Sequence, residues 1–424
     1  MASPCRRRFK MRAHMDRRQF CGALAGGLLL AGTRRVGAAG EALPPWTPGT
    51  LDIHHIDTGR GNATFILAPD GTTLLVDCGT NHDGPGLSAP IRPDASRQPG
   101  EWVARYALRQ ARAAGRDSLD YMVATHIHPD HIGDVTSDLA QAPDGDYRLT
   151  GLSEVDRLMP AAMVIDRAYP DYGDLPPLLA PFATNYRAWL DARARSGRAV
   201  AAVRVGSVDQ IRSRTPVAGF AIRVVAGNGR VWTGQGPDSR PLFPDNATLA
   251  PADRPVENMM SLALRLDYGR FGYFTGGDLT ASTRDGRFPW MDVETPVAAA
   301  CGRVEVAVAD HHGYFDACGP DFVRLLDAQA YIIPSWHAAH PGMAQMERLT
   351  NAWPGAKPRD VFATELLPAA AQVNERFLPA LRSRQGHVVV RVTPGGDSYR
   401  IFVLDPTREE GGVTLACGPY ACRA

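Results

Sequence analysis

The sequence predicts an α/β fold with mixed sheets, and three observations support this prediction. Strand-like and helix-like runs alternate between residues 51 and 405 in the order strands, helices, strands, helices. The chain of 424 residues can bury the core of one elaborate α/β domain or of two small ones. Its 44% hydrophobic and 21% charged residues are typical of a soluble protein rather than of a disordered or multi-span membrane protein. We therefore expect two packed sheets with helices outside them.

Residues 1–39 have the features of an export signal. Arg17 and Arg18 precede a run of about a dozen small or apolar residues, which is too short to span a bilayer comfortably. Small residues at 36–39 are typical of a signal-peptidase site, and the paired arginines resemble a twin-arginine signal. A Sec signal and an uncleaved anchor are the alternatives. We expect a periplasmic or extracellular protein with no stable membrane anchor after cleavage.

The charge is uneven along the chain. Residues 1–39 contain nine Arg or Lys and one acid, which leaves 37 basic and 44 acidic residues and a formal charge near −7 after cleavage. This balance argues against tight, non-specific binding to long nucleic acid or anionic membranes. A small-molecule substrate is the expected partner, and the sequence does not indicate an oligomeric state.

The predicted elements follow in order after a Pro-rich linker at residues 40–50. In the first half, alternation and helical spacing predict strands and one helix; the strands are at 51–57, 63–67, 72–76 and 119–123, and the helix is at 102–114. Residues 138–258 are diffuse and are interpreted as an insertion that shapes a cleft. In the second half the predicted strands are at 261–266, 272–275, 304–309, 331–333, 361–363, 387–393 and 399–404, and the helices are near 321–326 and 343–350. Residues 406–424 are expected to form a tail outside a domain that spans 51–405.

Four candidate metal ligands lie within six residues after the predicted strand 119–123. In extended chain His126 and His128 point the same way, and the turn at Pro129 lets Asp130 and His131 face a second position. Imidazole and carboxylate suit zinc, with manganese and iron as alternatives, and two ions roughly 3.5–4 Å apart form a hydrolytic clamp. The alternative is a polar loop whose histidines bond only to backbone.

Three further strand ends carry candidate site residues. Asp77 ends the strand 72–76, and Asp278 follows glycines after the strand 272–275, where it either bridges two ions or caps a helix. His311 and His312 follow the strand 304–309. Because adjacent strand residues face opposite ways, we expect at most one of them to bind metal. His312 is the favoured ligand, and His311 is then an acid or a phosphate contact.

Together these motifs resemble the H-x-H-x-D-H signature of the metallo-β-lactamase superfamily. Their order also resembles the metallo-hydrolase domain of bacterial DNA-uptake (competence) proteins, to which Asn258-Met-Met-Ser261 and His340-Pro341 fit. The resemblance implies a four-layer αβ/βα sandwich, support of the metal histidines by Asp77, and phosphoester or nucleic-acid hydrolysis. Relatives elsewhere in the superfamily cleave lactams, lactones and thioesters.

The sequence departs from the superfamily pattern at one position. No histidine lies between His131 and His311, so the usual third histidine of the first metal is missing. His126 and His128 would then share that ion with Asp278 and water or another carboxylate, and the site would hold one or two ions. We predict hydrolysis of a phosphoester or phosphodiester by metal-bound hydroxide, with Asp130 holding the ion that carries the nucleophile. A lactam or lactone hydrolase and a non-catalytic metal-binding module are the alternatives.

Five cysteines follow the leader, and export permits disulfides. The odd number requires at least one free thiol or an intermolecular bond. Cys417 and Cys422 are predicted to close a short staple, and Cys301 with Cys318 is the weaker prediction.

Overall fold

Two nine-stranded mixed sheets organise the computed structural model, which describes residues 40–173, 178–351, 356 and 359–423. The export signal predicted over 1–39 lies outside the described residues. In chain order the strands are β1 (Leu51–His55), β2 (Thr64–Leu67), β3 (Thr73–Val76), β4 (Leu119–Val123), β5 (Ala161–Asp166), β6 (Ala199–Ala202), β7 (Phe220–Gly227), β8 (Arg230–Trp232), β9 (Ser239–Pro241), β10 (Ala263–Tyr268), β11 (Phe271–Thr275), β12 (Val306–Val308), β13 (Ala330–Ile333), β14 (Asp360–Ala363), β15 (Leu381–Ser383), β16 (His387–Val392), β17 (Ser398–Leu404) and β18 (Val413–Ala421). The α-helices are α1 (Pro99–Ala111), α2 (Pro129–Ile132), α3 (Gly151–Leu158), α4 (Pro181–Arg195), α5 (Glu294–Cys301), α6 (Pro320–Leu326), α7 (Met343–Thr350) and α8 (Pro368–Val373).

Each sheet combines antiparallel and parallel pairs. The first has the order β18-β17-β16-β1-β2-β3-β4-β5-β6, and its strands from β3 to β6 are parallel. The second has the order β15-β14-β13-β12-β11-β10-β7-β8-β9, and its strands from β11 to β15 are parallel. Loops that leave the carboxyl ends of parallel strands share one edge of a sheet, which is the usual place for a site in such folds.

Three hydrophobic clusters define four layers. Alternate residues of one strand face opposite clusters: Leu74 and Val76 of β3 pack between the sheets, while Leu75 packs against the outer helices of the first sheet. Val103 of α1 joins that outer cluster, and Phe322 of α6 joins the outer cluster of the second sheet. The predicted α/β fold with mixed sheets, layered as a four-layer αβ/βα sandwich, is confirmed.

Regions interpreted as insertion and tail contribute strands to the sheets. Residues 138–258 include β5 and β6 of the first sheet and β7 to β9 of the second, as well as α3 and α4. Within the expected tail, β18 pairs antiparallel with β17 and becomes an edge strand.

The predicted disulfides are wrong. Cys422 is a free thiol, so the Cys417–Cys422 staple is not formed; Cys417 lies within β18 opposite Ile401, and Cys422 follows the end of the same extended strand. Cys301 and Cys318 are buried free thiols. Within residues 40–173, 178–351 and 359–423, no helix combines the length and the apolar character needed to cross a bilayer.

Candidate metal centre

Loops from four strand ends meet where the two sheets face each other. Asp77 follows β3, the segment 126–131 follows β4, Asp278 follows β11, and the turn 310–313 follows β12. Because β3 and β4 are parallel neighbours, as are β11 and β12, each sheet presents two carboxyl ends at this edge. The six predicted ligands come together here.

The first donor group contains His126, His128 and Asp278, whose ligand atoms all lie within 4.8 Å of one another. His126 Nε2 is 3.1 Å from His128 Nδ1 and 3.7 Å from Asp278 Oδ2. Burial lowers the pKa of both histidines, with that of His126 well below its usual range. Neutral imidazoles have a lone pair available for a metal.

The second donor group contains Asp130, His131, Asp278 and His312, again within 4.8 Å. His131 Nε2 lies 3.0 Å from Asp278 Oδ1, and His312 Nε2 lies 3.0 Å from Asp130 Oδ2 and 3.3 Å from His131 Nε2. Although burial opposes it, the neighbouring carboxylates of Asp278, Asp77 and Asp130 raise the pKa of His131 well above its ordinary value. Burial alone would raise the pKa of Asp278. Attraction to the nearby histidines, most strongly to His131, instead holds it well below its usual range.

Asp278 belongs to both groups and faces each with a different oxygen. Its Oδ1 lies 3.0 Å from His131 Nε2, and its Oδ2 lies 3.7 Å from His126 Nε2. A buried carboxylate needs positive charge beside it, and a cation held by these imidazoles would supply it to both oxygens. The donor set of imidazoles and carboxylates therefore fits one or two divalent ions, such as zinc.

Asp77 lies behind the second donor group and is buried. Its Oδ2 accepts hydrogen bonds from His131 Nδ1 (2.8 Å), Thr125 Oγ1 (2.8 Å) and Asn62 Nδ2 (3.1 Å), and its Oδ1 accepts one from the Thr125 backbone N–H (2.8 Å). The contact to Nδ1 turns Nε2 of His131 towards the centre. For His312 the Pro334 carbonyl does the same, 2.8 Å from Nδ1.

Sequence reasoning missed the residues that hold the metal-binding loop. Glu257 accepts a hydrogen bond from the Ile127 backbone N–H (2.9 Å) and two from the buried Arg167 guanidinium (2.8 and 3.0 Å). A Cβ at Gly61 or Gly79 would overlap the Asp130 backbone, so these glycines allow their loops to approach the metal-binding loop closely. Nothing in the local sequence distinguishes Glu257 from a surface acid.

The expectation that adjacent histidines point to opposite faces was wrong. His311 and His312 are not extended; they lie in a short 3₁₀ turn with φ of 47° and 54°. In this left-handed backbone His311 Nε2 lies 3.7 Å from Asp278 Oδ2, and His312 Nε2 lies 3.6 Å from Asp278 Oδ1. Both rings therefore face the bridging carboxylate.

A loop after β13 borders the same edge. The His340 ring stacks on His312 with centroids 4.8 Å apart and an interplanar angle of 12°. His340 and Trp336 are buried. His337 lies farther out, where its Nε2 is 3.6 Å from Asp83.

Comparisons with known proteins give one family match and distant likenesses to solved structures. Residues 56–137, which contain Asp77 and the central motif, match the model of the metallo-beta-lactamase superfamily. A search of curated proteins gives no significant match. Among solved structures, one titled a new diphosphatase from the PhnP family shares 11% identity, with 82% of this chain and 98% of that chain covered and a TM-score of 0.33. A hydrolase of the beta-lactamase superfamily, AbOPH, shares 12% identity over 62% of this chain and 84% of that chain, with a TM-score of 0.26.

At such TM-scores the likeness to solved structures is too distant to carry an argument about function. The match over residues 56–137 confirms the predicted resemblance to the metallo-beta-lactamase superfamily for this part of the chain. The narrower resemblance to competence proteins and the assignment of individual catalytic roles stay predictions.

Proposed function

We propose that this chain, which carries a metallo-beta-lactamase superfamily domain, is an exported metal-dependent hydrolase that cleaves phosphoesters, with a small phosphodiester as its preferred substrate. The observation that carries the proposal is the placement of Asp278, whose two oxygens face two separate groups of metal donors. Two bridged cation positions are the arrangement that phosphatases and nucleases use to clamp attacking and leaving oxygens.

A divalent ion bound at either donor group would lower the pKa of its water and polarise an oxygen of the scissile group. The residues of the chain supply geometry and charge. Asp130, His131, Asp278 and His312 would hold an ion at the second donor group, and the hydrogen bond from His131 to Asp77 keeps one ring nitrogen directed at the centre. Because the ligands of this position are buried, their attraction for an ion is weakly screened.

Phosphate is favoured over an acyl substrate by the charge of the loaded centre. Two divalent ions would outweigh the three carboxylates at the centre, Asp77, Asp130 and Asp278, and this excess of positive charge favours phosphate oxygens. The net acidity of the chain after residue 39 argues against long nucleic acid, because counterion release would contribute little. Zinc is the proposed metal, with manganese and iron as alternatives.

Export completes the proposal and is supported by the paired arginines and the apolar run in residues 1–39. A small phosphodiester or a phosphorylated headgroup of the cell envelope suits an enzyme outside the cytoplasm. Detection of the mature chain in the periplasmic fraction, lost when Arg17 and Arg18 are replaced by Lys, tests this part. Retention of both forms in the cytoplasm contradicts it.

An activity panel tests the reaction. The mature protein, reconstituted with zinc or manganese, is assayed against bis-nitrophenyl phosphate, a choline phosphodiester, a chromogenic cephalosporin and a lactone. We expect turnover of at least one phosphodiester. Turnover of the cephalosporin or lactone alone removes the phosphoesterase and supports the acyl hydrolase. Near-zero zinc, manganese and iron in protein purified without chelator supports a module without catalysis.

A further inference from the structure

Large apolar side chains are exposed mainly around the metal centre. The described residues expose eight of them, and six lie in segments that enter or leave the sheets at the edge where the donor groups meet. These six, which together form an apolar rim, are Leu87, Leu179, Val256, Phe315, Met343 and Val373. Single exposed apolar residues are ordinary, whereas their concentration around a site marks a surface that meets an apolar partner.

Phe315 and Met343 form the part of the rim that follows the strands β12 and β13. Phe315 is 68% exposed, and its ring packs edge-on against Tyr314 with centroids 4.5 Å apart. Tyr314 in turn lies 5.1 Å from the His311 ring. Met343 is in the adjoining loop, because a Cβ at the preceding Gly342 would lie 3.6 Å from the Phe315 Cα. These two exposed side chains therefore lie beside the histidines of the centre.

Leu87 and Val256 belong to loops that are bonded to the walls of the centre. The Leu87 carbonyl accepts a hydrogen bond from the Ala338 N–H at 2.7 Å, in the loop that follows β13. Val256 directly precedes Glu257, whose carboxylate accepts the Ile127 N–H of the metal-binding loop at 2.9 Å. Each of these exposed side chains is thus held near the centre by contacts of its own loop.

Leu179 and Val373 complete the rim on its two sides. Leu179 lies just before α4, and the Phe182 ring of that helix is 6.5 Å from the ring of His128. Val373 ends α8, and the side chain of the next residue donates to the Pro341 carbonyl at 2.8 Å. The rim therefore flanks the centre from loops of both sheets.

A lipid surface suits this rim better than a protein partner. A protein seated on all six side chains would cover the metal centre between them, whereas a lipid carries hydrocarbon and a phosphodiester in one molecule. Apolar side chains enter the boundary between headgroups and acyl chains, and the strength of such binding scales with the apolar area buried. The chain after residue 39 has 37 basic and 44 acidic residues, so a zwitterionic surface is favoured over an anionic one.

We propose that the apolar rim docks on a zwitterionic lipid surface and that the substrate is the phosphodiester of a membrane lipid. This inference rests on the proposed phosphodiester hydrolysis and narrows its substrate class. In the reaction the oxygen of a water molecule bonds to phosphorus, one ester P–O bond breaks, and the leaving oxygen takes a proton of that water. The products are a phosphomonoester and an alcohol, and the docking contact is reversible.

Binding to vesicles, measured without reference to turnover, tests the docking surface. The zinc-loaded mature protein, without the leader whose apolar run would itself enter lipid, is cosedimented with phosphatidylcholine vesicles. We expect Phe315→Ser with Met343→Ser to bind at least about tenfold more weakly, because two large apolar side chains no longer enter the bilayer. Leu87→Ser with Val256→Ser is a second rim variant with the same expected loss, and circular dichroism reports the folding of each. Leu158→Ser is the matched control, since this 42% exposed leucine ends α3 near the amino end of β5, and it should bind like the wild type.

Turnover of the vesicle lipid tests the substrate class. Hydrolysis of phosphatidylcholine in the vesicles is compared with hydrolysis of soluble bis-nitrophenyl phosphate by the same preparation. We expect the ratio of lipid turnover to soluble turnover to fall at least about tenfold in the Phe315→Ser, Met343→Ser variant and to stay unchanged in Leu158→Ser. High salt should leave vesicle binding by the wild type in place, because apolar contacts are not screened.

Hydrolysis of bis-nitrophenyl phosphate by a wild type that does not bind vesicles overturns the inference and leaves the proposed function intact. If such a wild type forms dimers that dissociate in the rim variants, the rim belongs to a contact between copies of the chain. Equal vesicle binding by the wild type and both rim variants also overturns the inference. Loss of binding at high salt, or tighter binding to vesicles that contain phosphatidylglycerol, assigns the contact to charge and overturns it as well. Vesicle binding without turnover of any phosphodiester overturns the substrate assignment together with the proposed function.

Discussion

Replacement of Asp77 by Asn tests how the buried carboxylate behind the second donor group supports the metal centre. The buried carboxylate accepts from four donors on three residues, Thr125, His131 and Asn62. An amide of the same size has one accepting oxygen and an NH₂ group that faces donors, so about two buried donors lose their partner. At about 1–3 kcal/mol for each unmet buried group, we expect a loss of about 2–6 kcal/mol in the free energy of unfolding.

The same change should weaken zinc binding. Without the Asp77 carboxylate, the His131 ring is no longer fixed with Nε2 towards Asp130 and Asp278, and loss of such support typically reduces metal affinity by about 10- to 100-fold. Urea unfolding of metal-free protein measures the first effect, and zinc titration against a chelator measures the second.

Asp70 provides a matched control. It also accepts four hydrogen bonds, from Thr72 and Thr215, but it lies in the β2–β3 hairpin turn, where water can replace them. Asp70→Asn should change stability by less than about 1 kcal/mol and leave zinc affinity unchanged. If Asp77→Asn behaves like Asp70→Asn in both assays, the supporting role of Asp77 is refuted.

Three other predictions concern the ligands, a buried acid and a close backbone contact. His126→Ala and Asp130→Ala should reduce hydrolysis of the best phosphodiester below detection while thermal unfolding stays cooperative; full activity in both variants would contradict the proposed centre. Burial raises the pKa of Glu294 to about 8 from an ordinary 4.5, so the folded state keeps a proton that the unfolded chain loses and the free energy of unfolding falls as pH rises from 4.5 to 8. Glu294→Gln should flatten this fall in urea titrations across that range, and an unchanged slope would show that Glu294 does not cause it. Gly79→Ala would push its Cβ into the Asp130 backbone, and we expect zinc affinity to fall by about tenfold or more; unchanged affinity would show that the loop adapts.

Local signals in the sequence predicted most of the elements and most of the candidate ligands. Alternation over 51–57 and 72–76 and the apolar run 119–123 correspond to β1, β3 and β4, and the predicted helix 343–350 coincides with α7. The central motif was recognisable because His126, His128, Asp130 and His131 are close in sequence, and Asp278 because glycines precede it after a strand. These features need only nearest neighbours along the chain.

Features set by distant contacts were not predictable in the same way. The strand β5 lies between diffuse segments, and its burial depends on pairing with β4 and β6. The strand β18 depends on the free edge of β17, which no pattern within 406–424 reveals. The division of His311 and His312 between two carboxylate oxygens depends on positive φ at two non-glycine residues, which sequence patterns do not indicate.

A zinc-edge anomalous difference map from crystals of the zinc-loaded protein tests the central claim most directly. We predict two peaks roughly 3.5–4 Å apart on either side of Asp278, one beside His126 and His128 and the other beside Asp130, His131 and His312. No peak at this edge of the sheets, or zinc bound elsewhere with Asp278 uncoordinated, would contradict the proposed metal centre.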